Sequence, residues 1–136
     1  MAPAKKTHPA VLSVRCAIYL KEEKWDLAAA AAKNLTDTLP EDPGGWIHFA
    51  FATRRKASGS IPEAKAILVA AEPKFPAHFL FPFNLACYCA QLNELAEAER
   101  WLKKAIALDR ITVTKLAVID PDLKPLRDSL GGKLPG

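Results

Sequence analysis

Apolar side chains in the C-terminal half of the chain recur every three or four residues, and the small ones among them return in the same order one copy later. Laid over NELAEAERWLKKAIALDR (93–110) without a gap, GSIPEAKAILVAAEPKFP (59–76) pairs Ile61 with Leu95, Ala64 with Ala98, Leu68 with Leu102 and Ala71 with Ala105, each 34 residues apart. The register extends upstream, where Phe51 pairs with Leu85 and Ala52 with Ala86. A weaker copy lies earlier, at an offset of 36 residues, with Trp25 over Ile61, Ala28 over Ala64, Ala32 over Leu68, Leu35 over Ala71 and Pro40 over Pro76. Its two additional residues fall in the turn EDPGG. Three-and-four spacing is helical, and the turn residues divide each copy into two helices. Ser60 followed by Glu63 reads as a capping box, with Pro62 in the first turn where its missing N–H costs little. Asp42-Pro43 and Asn93 are further helix-start or turn signals. The pattern predicts antiparallel helix pairs.

A helix-pair unit of 34 residues, with small residues at three fixed places, resembles the tetratricopeptide repeat over about residues 9–112. The small places are filled by Cys16, Ala28 and Leu35, then Ala52, Ala64 and Ala71, then Ala86, Ala98 and Ala105. The resemblance implies an all-α fold, a right-handed α-α superhelix of three helix pairs at about 9–44, 45–78 and 79–112. Tails over 1–8 and 131–136 and a capping segment over 113–130 complete the expected organisation. The sequence departs from the family's pattern in places. Its bulky position is Leu12, His48 and Pro82, its aromatic position is Tyr19, Arg55 and Cys89, and its closing proline becomes Arg110 in the third copy. Arg55, a charge in a normally buried place, leaves the register of the second copy's first helix open.

After Arg110 the period stops. Val113, Leu116, Ala117 and Val118 keep helical spacing up to a break at Asp120-Pro121, and Leu123, Leu126 and Leu130 suggest a short helix ending at Gly131-Gly132. Arrays of this kind need a last element that covers the apolar end of the stack, and this segment is expected to do so.

The stretch FNLACYCA (83–90) looks at first like a metal or redox motif. Successive helical residues are about 100° apart, so Cys87 and Cys89 diverge by about 200° and cannot grip one ion together. His8, His48 and His78 fall in unrelated segments, no zinc-type spacing exists, and buried thiols pack as small hydrophobes. No metal or cofactor is expected. In the family that the chain resembles, the first helices of the pairs line a concave groove, and an asparagine in Asn84's place hydrogen-bonds the backbone of a bound peptide. The resemblance therefore implies a partner-binding set of Trp46, Phe49, Thr53, Leu80, Phe83, Asn84 and Cys87, unless a terminal segment folds over it. Some family members clamp a chaperone's C-terminal carboxylate; the matching residues here are Ser13, Ala17, Ala50, Leu80 and Asn84, four of which lack the donor type, so a clamp is disfavoured.

Composition narrows the function further. Half of the 136 residues are hydrophobic, which fits a packed core and argues against disorder. No run approaches the roughly 18 apolar residues of a membrane span. MAPAKKTHPA at the start has lysines but no apolar stretch behind them, so no secretory signal is expected. Three cysteines without framework spacing fit a reducing compartment, and a cytoplasmic location is the expectation. The net charge of +4 is modest, and its one compact run, Arg54-Arg55-Lys56, reads as a solvated helix end, so nucleic acid is not an expected partner. There is no Gly-rich phosphate loop, HExxH or GxSxG, and the carboxylate pairs Glu22-Glu23 and Asp120/Asp122 read as helix-end and turn chemistry. The expectation is a non-catalytic module without a small-molecule substrate that binds a protein or peptide. The alternatives are a secretion-type chaperone for a hydrophobic client and a self-associating scaffold.

Overall fold

The computed structural model describes residues 8–135, and the tail expected over 1–8 lies outside the described residues as far as residue 7. Among the described residues the chain forms α1 (Pro9–Lys21), α2 (Trp25–Thr38), α3 (Pro43–Arg55), α4 (Ile61–Ala71), α5 (Leu80–Gln91), α6 (Leu95–Leu108), α7 (Arg110–Ala117) and α8 (Lys124–Ser129). Single 3-10 turns occupy Glu72–Lys74 and Pro121–Leu123. The chain divides into two compact units, 1–67 and 68–136, with the break inside α4.

The helix starts follow from local chemistry. Asp42 Oδ1 accepts from Gly44 N at 3.0 Å with Pro43 in the first turn of α3, and Ser60 Oγ accepts from Glu63 N at 3.2 Å at the start of α4. His8 Nδ1 and Asp109 Oδ1 do the same for α1 and α7. Three helix ends share one geometry, in which a residue in the left-handed region lets the next N–H reach back five positions. Glu23 (φ 58°), Asn93 (φ 60°) and Gly131 (φ 69°) hold these places. Lys24 N donates to Tyr19 O, Glu94 N to Cys89 O and Gly132 N to Arg127 O, each at 2.8 Å. Glycine and asparagine tolerate this conformation; Glu23 is the unusual occupant.

In the first unit α2 packs against both α1 and α3. Ala28, Ala29, Ala31 and Ala32 make α2 thin on its buried side, so the neighbouring helices approach closely. Gly45 shows how closely, since a Cβ there would lie 3.3 Å from that of Leu35. Leu12, Cys16 and Leu35 fill one small cluster and Ala28, Ala29 and Ala52 another, with Tyr19, Leu20 and Phe49 packed against both.

In the second unit α5 is buried along most of its length, from Phe81 to Ala90 apart from Asn84. It pairs with α6, and the chain after Asp120 packs against it. One continuous cluster joins Phe83, Ala86, Cys87 and Ala90 of α5 to Leu102, Ala105 and Ile106 of α6 and to Val113, Ala117, Leu123 and Leu126. Arg127 ties the segment together by donating from Nη1 to Ala117 O at 2.8 Å and Asp120 O at 2.6 Å. Leu134 packs against the same cluster, and Pro135 is buried. All nine residues at the three small places of the repeat, including the larger Leu35, are buried.

Candidate functional site

The seven residues expected to bind a partner divide between the two units. On α3, Trp46 is half-buried and donates from Nε1 to Pro40 O at 2.9 Å. Phe49 is also half-buried and wedges against the clusters between α1, α2 and α3. Thr53 is buried, and its Oγ1 has no hydrogen-bond partner. A buried hydroxyl left this way carries a desolvation cost of about 1–3 kcal/mol.

On α5, Leu80, Phe83, Asn84 and Cys87 share one face, as the three-and-four spacing requires. The segment beginning at Asp120 lies on this face. Phe83 and Cys87 are each only 4% exposed and share their cluster with Leu123 and Leu126. Cys87 Sγ donates to Asp120 Oδ2 at 3.8 Å, and Gln91 Nε2 donates to Asp122 O at 2.8 Å. Leu80 packs half-buried at the margin of the cluster, and Asn84 is half-buried. On this part of the expected surface the chain is its own occupant.

Cys87 and Cys89 diverge, each toward its own carboxylates. Cys87, Asp120 and Asp122 form one group with donor atoms within 4.8 Å of one another, and Cys89, Glu94 and Glu97 form a second. Each offers three sulfur and oxygen donors of the kind that bind a divalent ion. Both groups also have structural work. Asp120 Oδ1 accepts from Asp122 N at 2.9 Å and caps the 3-10 turn, while Glu97 Oε2 accepts from Cys89 Sγ at 3.5 Å and Trp101 Nε1 at 3.3 Å. Cys16 donates to Ala28 O at 3.8 Å, and burial pushes its thiol above the ordinary pKa, which keeps it protonated and unreactive.

A further surface in the first unit escaped the sequence reading. Trp25 and Phe51 meet edge to face, with ring centroids 6.0 Å apart and planes at 61°. The Arg55 guanidinium lies 3.5 Å from the Phe51 centroid and 5.7 Å from that of Trp25, and its Nη1 donates to Phe51 O at 3.0 Å. Arg55 thus fills the aromatic place of the repeat by stacking, its guanidinium lying over the Phe51 ring. Phe51 stays 38% exposed and Leu27 50%. Two open cavities have Trp25 in their lining. One, of about 600 Å³, is lined by Leu20, Lys21, Glu23, Trp25, His48 and Phe51. The other, of about 450 Å³, brings in Lys24, Asp26, Leu27, Arg55 and Lys56. His48 at the rim is held below the ordinary imidazole pKa by partial burial, with the Asp42 carboxylate pulling the other way. The signal available in the sequence was Arg55 itself, a charge at an aromatic place.

No protein-family model matches the chain, and no curated protein sequence matches it. Solved structures do. The chain is similar to the TPR2B domain of yeast Sti1, solved in complex with pHsp70, at 21% identity and a TM-score of 0.74, covering 92% of this chain and 98% of that one. It is also similar to TTC0263, a thermophilic TPR protein of Thermus thermophilus, at 24% identity and a TM-score of 0.73, covering 94% of this chain and 68% of that one. At these identities the likeness shows the fold: an all-α, tetratricopeptide-like stack of antiparallel helix pairs.

Proposed function

We propose that the protein is a non-catalytic interaction module that holds a peptide or helix of a protein partner on the first helices of its pairs. The observation that carries this reading is the fold itself, a tetratricopeptide-like stack with every small place of the repeat buried. Close packing of the helices within each unit presents its surface residues at low entropic cost. In this reading Trp46 and Phe49 contact the partner from α3, and the buried Thr53 lies beneath them without reaching it. Leu80 and Asn84 contribute from α5, while Phe83 and Cys87 hold the C-terminal segment and meet a partner only where that segment gives way. The pHsp70 partner of the Sti1 domain does not carry over, because Ser13, Ala17, Ala50 and Leu80 supply no cationic or amide donors at the clamp places.

The test is affinity capture from host lysate with wild type, Trp46→Ala and Asn84→Ala, each variant first shown by circular dichroism to keep its helices. A partner kept by wild type and lost by both variants supports the reading; the same partner kept by both refutes it. A second reading, self-association, is favoured by apolar residues left in water: Val14 (59% exposed) and Ile18 (48%) on α1, and Ile111 (71%) and Ile119 (74%) in and just after α7. Concentration-dependent light scattering separates a self-associating scaffold from a monomeric binder.

A further inference from the structure

We infer that the outer face of α1 is the contact surface between two copies of this chain, which meet as an antiparallel helix pair about a two-fold axis at Val14. The inference goes beyond the α3–α5 reading, uses none of its residues, and rests on the self-association reading, to which it gives a surface and a register.

α1 is apolar nearly all the way round. On one side Leu12 and Cys16 are buried, and Tyr19 and Leu20 pack against the clusters that α1 shares with the alanines of α2. On the other side Val11, Val14 and Ile18 stay 43%, 59% and 48% exposed, beside exposed Ala10 and Ala17. At about 100° per residue these five fall within an arc of about 120°, with Ser13 and Arg15 at its two edges. A helix at a protein surface ordinarily turns a polar side to water, and one that is apolar on both sides is a helix with a second neighbour.

The chemistry of the face selects the kind of neighbour. Its five side chains hold no hydrogen-bond donor or acceptor, whereas an extended peptide brings backbone N–H and C=O groups that need partners. A helix satisfies its own backbone and asks only for apolar contact. The register then selects α1 itself. In an antiparallel pair centred on Val14, Val14 meets the second copy's Val14, Ile18 meets Ala10 and Val11 meets Ala17. Each of the outer large side chains stands opposite an alanine, so the two surfaces interdigitate, and the interface is the same patch on both copies. Arg15 falls opposite Ser13, at the edge of the pair. The other exposed stripe fails the same construction: setting Ile111 of one copy against Ile119 of another brings Lys115 against Lys115, which repels.

Size sets the strength. α1 has 13 residues, so the contact is a strip of roughly 20 Å by 10 Å. That is well under the roughly 800 Å² per partner of a stable interface, and the dimer is therefore reversible and populated at high concentration. Apolar burial holds it against the repulsion of two copies that each carry +4, so added salt strengthens it.

The experiment is sedimentation velocity of the full chain over a rising concentration series, for wild type, Val14→Glu, Ile111→Glu and Trp46→Ala, each first shown by circular dichroism to keep its helices. Val14 and Ile111 are exposed, so neither glutamate enters the core. The proposal expects a monomer–dimer shift that strengthens with salt, is weakened roughly tenfold or more by Val14→Glu, and is unchanged in the other two variants. Single cysteines under mild oxidation read the register, since the native thiols are buried. Val14→Cys, at the axis, should link to itself, whereas Ala10→Cys and Ile18→Cys should link when mixed and neither alone. A chain that stays monomeric at every concentration, a dimer that survives Val14→Glu or is lost with Ile111→Glu or Trp46→Ala, or self-linked Ala10→Cys would overturn the proposal. Loss of a lysate partner in Trp46→Ala bears on the α3–α5 reading alone.

Discussion

The two units are built on one repeat pattern and finish differently. In the second, α5 and α6 share a continuous cluster with α7, the 3-10 turn and α8, and the large side chains Leu102, Leu123 and Leu126 close it almost completely. In the first, α1, α2 and α3 meet through alanines in small clusters bridged by Tyr19, Leu20 and Phe49, and Val14, Ile18, Leu27 and Phe51 stay in water. Alanine lets helices come close but buries little apolar area, at about 25 cal/mol per Å². Large side chains in a segment added after the repeats do the reverse. The difference assigns the larger continuous core to the second unit, while both units leave apolar side chains in water, the second most of all at Ile111 and Ile119.

The sharpest way to break that comparison is to cut the large side chains of the closed core. Leu126→Ala, at 1% exposure, should cost about 2–5 kcal/mol in urea unfolding, whereas Val14→Ala on the open α1 should stay within about 0.5 kcal/mol. Similar losses from the two would mean that the units are equally closed. The next largest effect is expected at Gly59, where an added Cβ would stand 1.8 Å from Thr53 O. Because that neighbour is backbone, Gly59→Ala should cost roughly 1–3 kcal/mol and displace the 56–60 turn, read as lost hydrogen-exchange protection there. Unchanged stability would show that this close approach is not a fixed feature of the first unit.

A gain is expected at Glu23. Glu23→Gly relieves a left-handed glutamate and should stabilise the protein by about 1 kcal/mol, while Asn93→Gly in the matching turn should do much less. If both changed stability alike, the strain at the cavity rim would be no different from that of an ordinary turn. The smallest effect concerns His48. Its folded pKa lies below the ordinary value, so the unfolded chain takes up the proton first. The His48 contribution to stability is therefore full above the ordinary imidazole pKa and lost as pH falls through that value toward the folded one. Asp42→Asn removes the opposing carboxylate and should lower the His48 pKa further, as followed by NMR titration; a rise would contradict the assigned cause.

Much of this fold was legible in the residues. The recurrence of Ala52, Ala64 and Ala71 as Ala86, Ala98 and Ala105 announced a close helix crossing, because only small side chains allow it, and all six are buried. The caps at Asp42 and Ser60 and the turn at Asp120-Pro121 depend on neighbours in sequence, so local reading reached them. The covering of α5 was harder to see. Leu123 and Leu126 look like any amphipathic pair until the chain folds back, and the bond from Gln91 to Asp122 O joins residues 31 apart. A groove derived from repeat positions alone therefore left open whether it was already filled. Arg55 was legible only as a departure from the repeat. As a charge at an aromatic place it left the register of that helix open; α3 runs unbroken to Arg55, and the guanidinium stacks on the Phe51 ring. The resulting aromatic surface arises from Trp25 and Phe51, which belong to different repeats and have no shared motif.

The most direct test of the contrast is photo-crosslinking from one exposed position in each unit, with a crosslinking amino acid placed at position 48 on α3 or at position 91 on α5 in the full chain in host cells. The account predicts adducts with a partner protein from position 48, and from position 91 only links to the chain's own residues near Asp122. Partner adducts from position 91 and none from position 48 would contradict it, placing the working surface on the unit that the C-terminal segment covers.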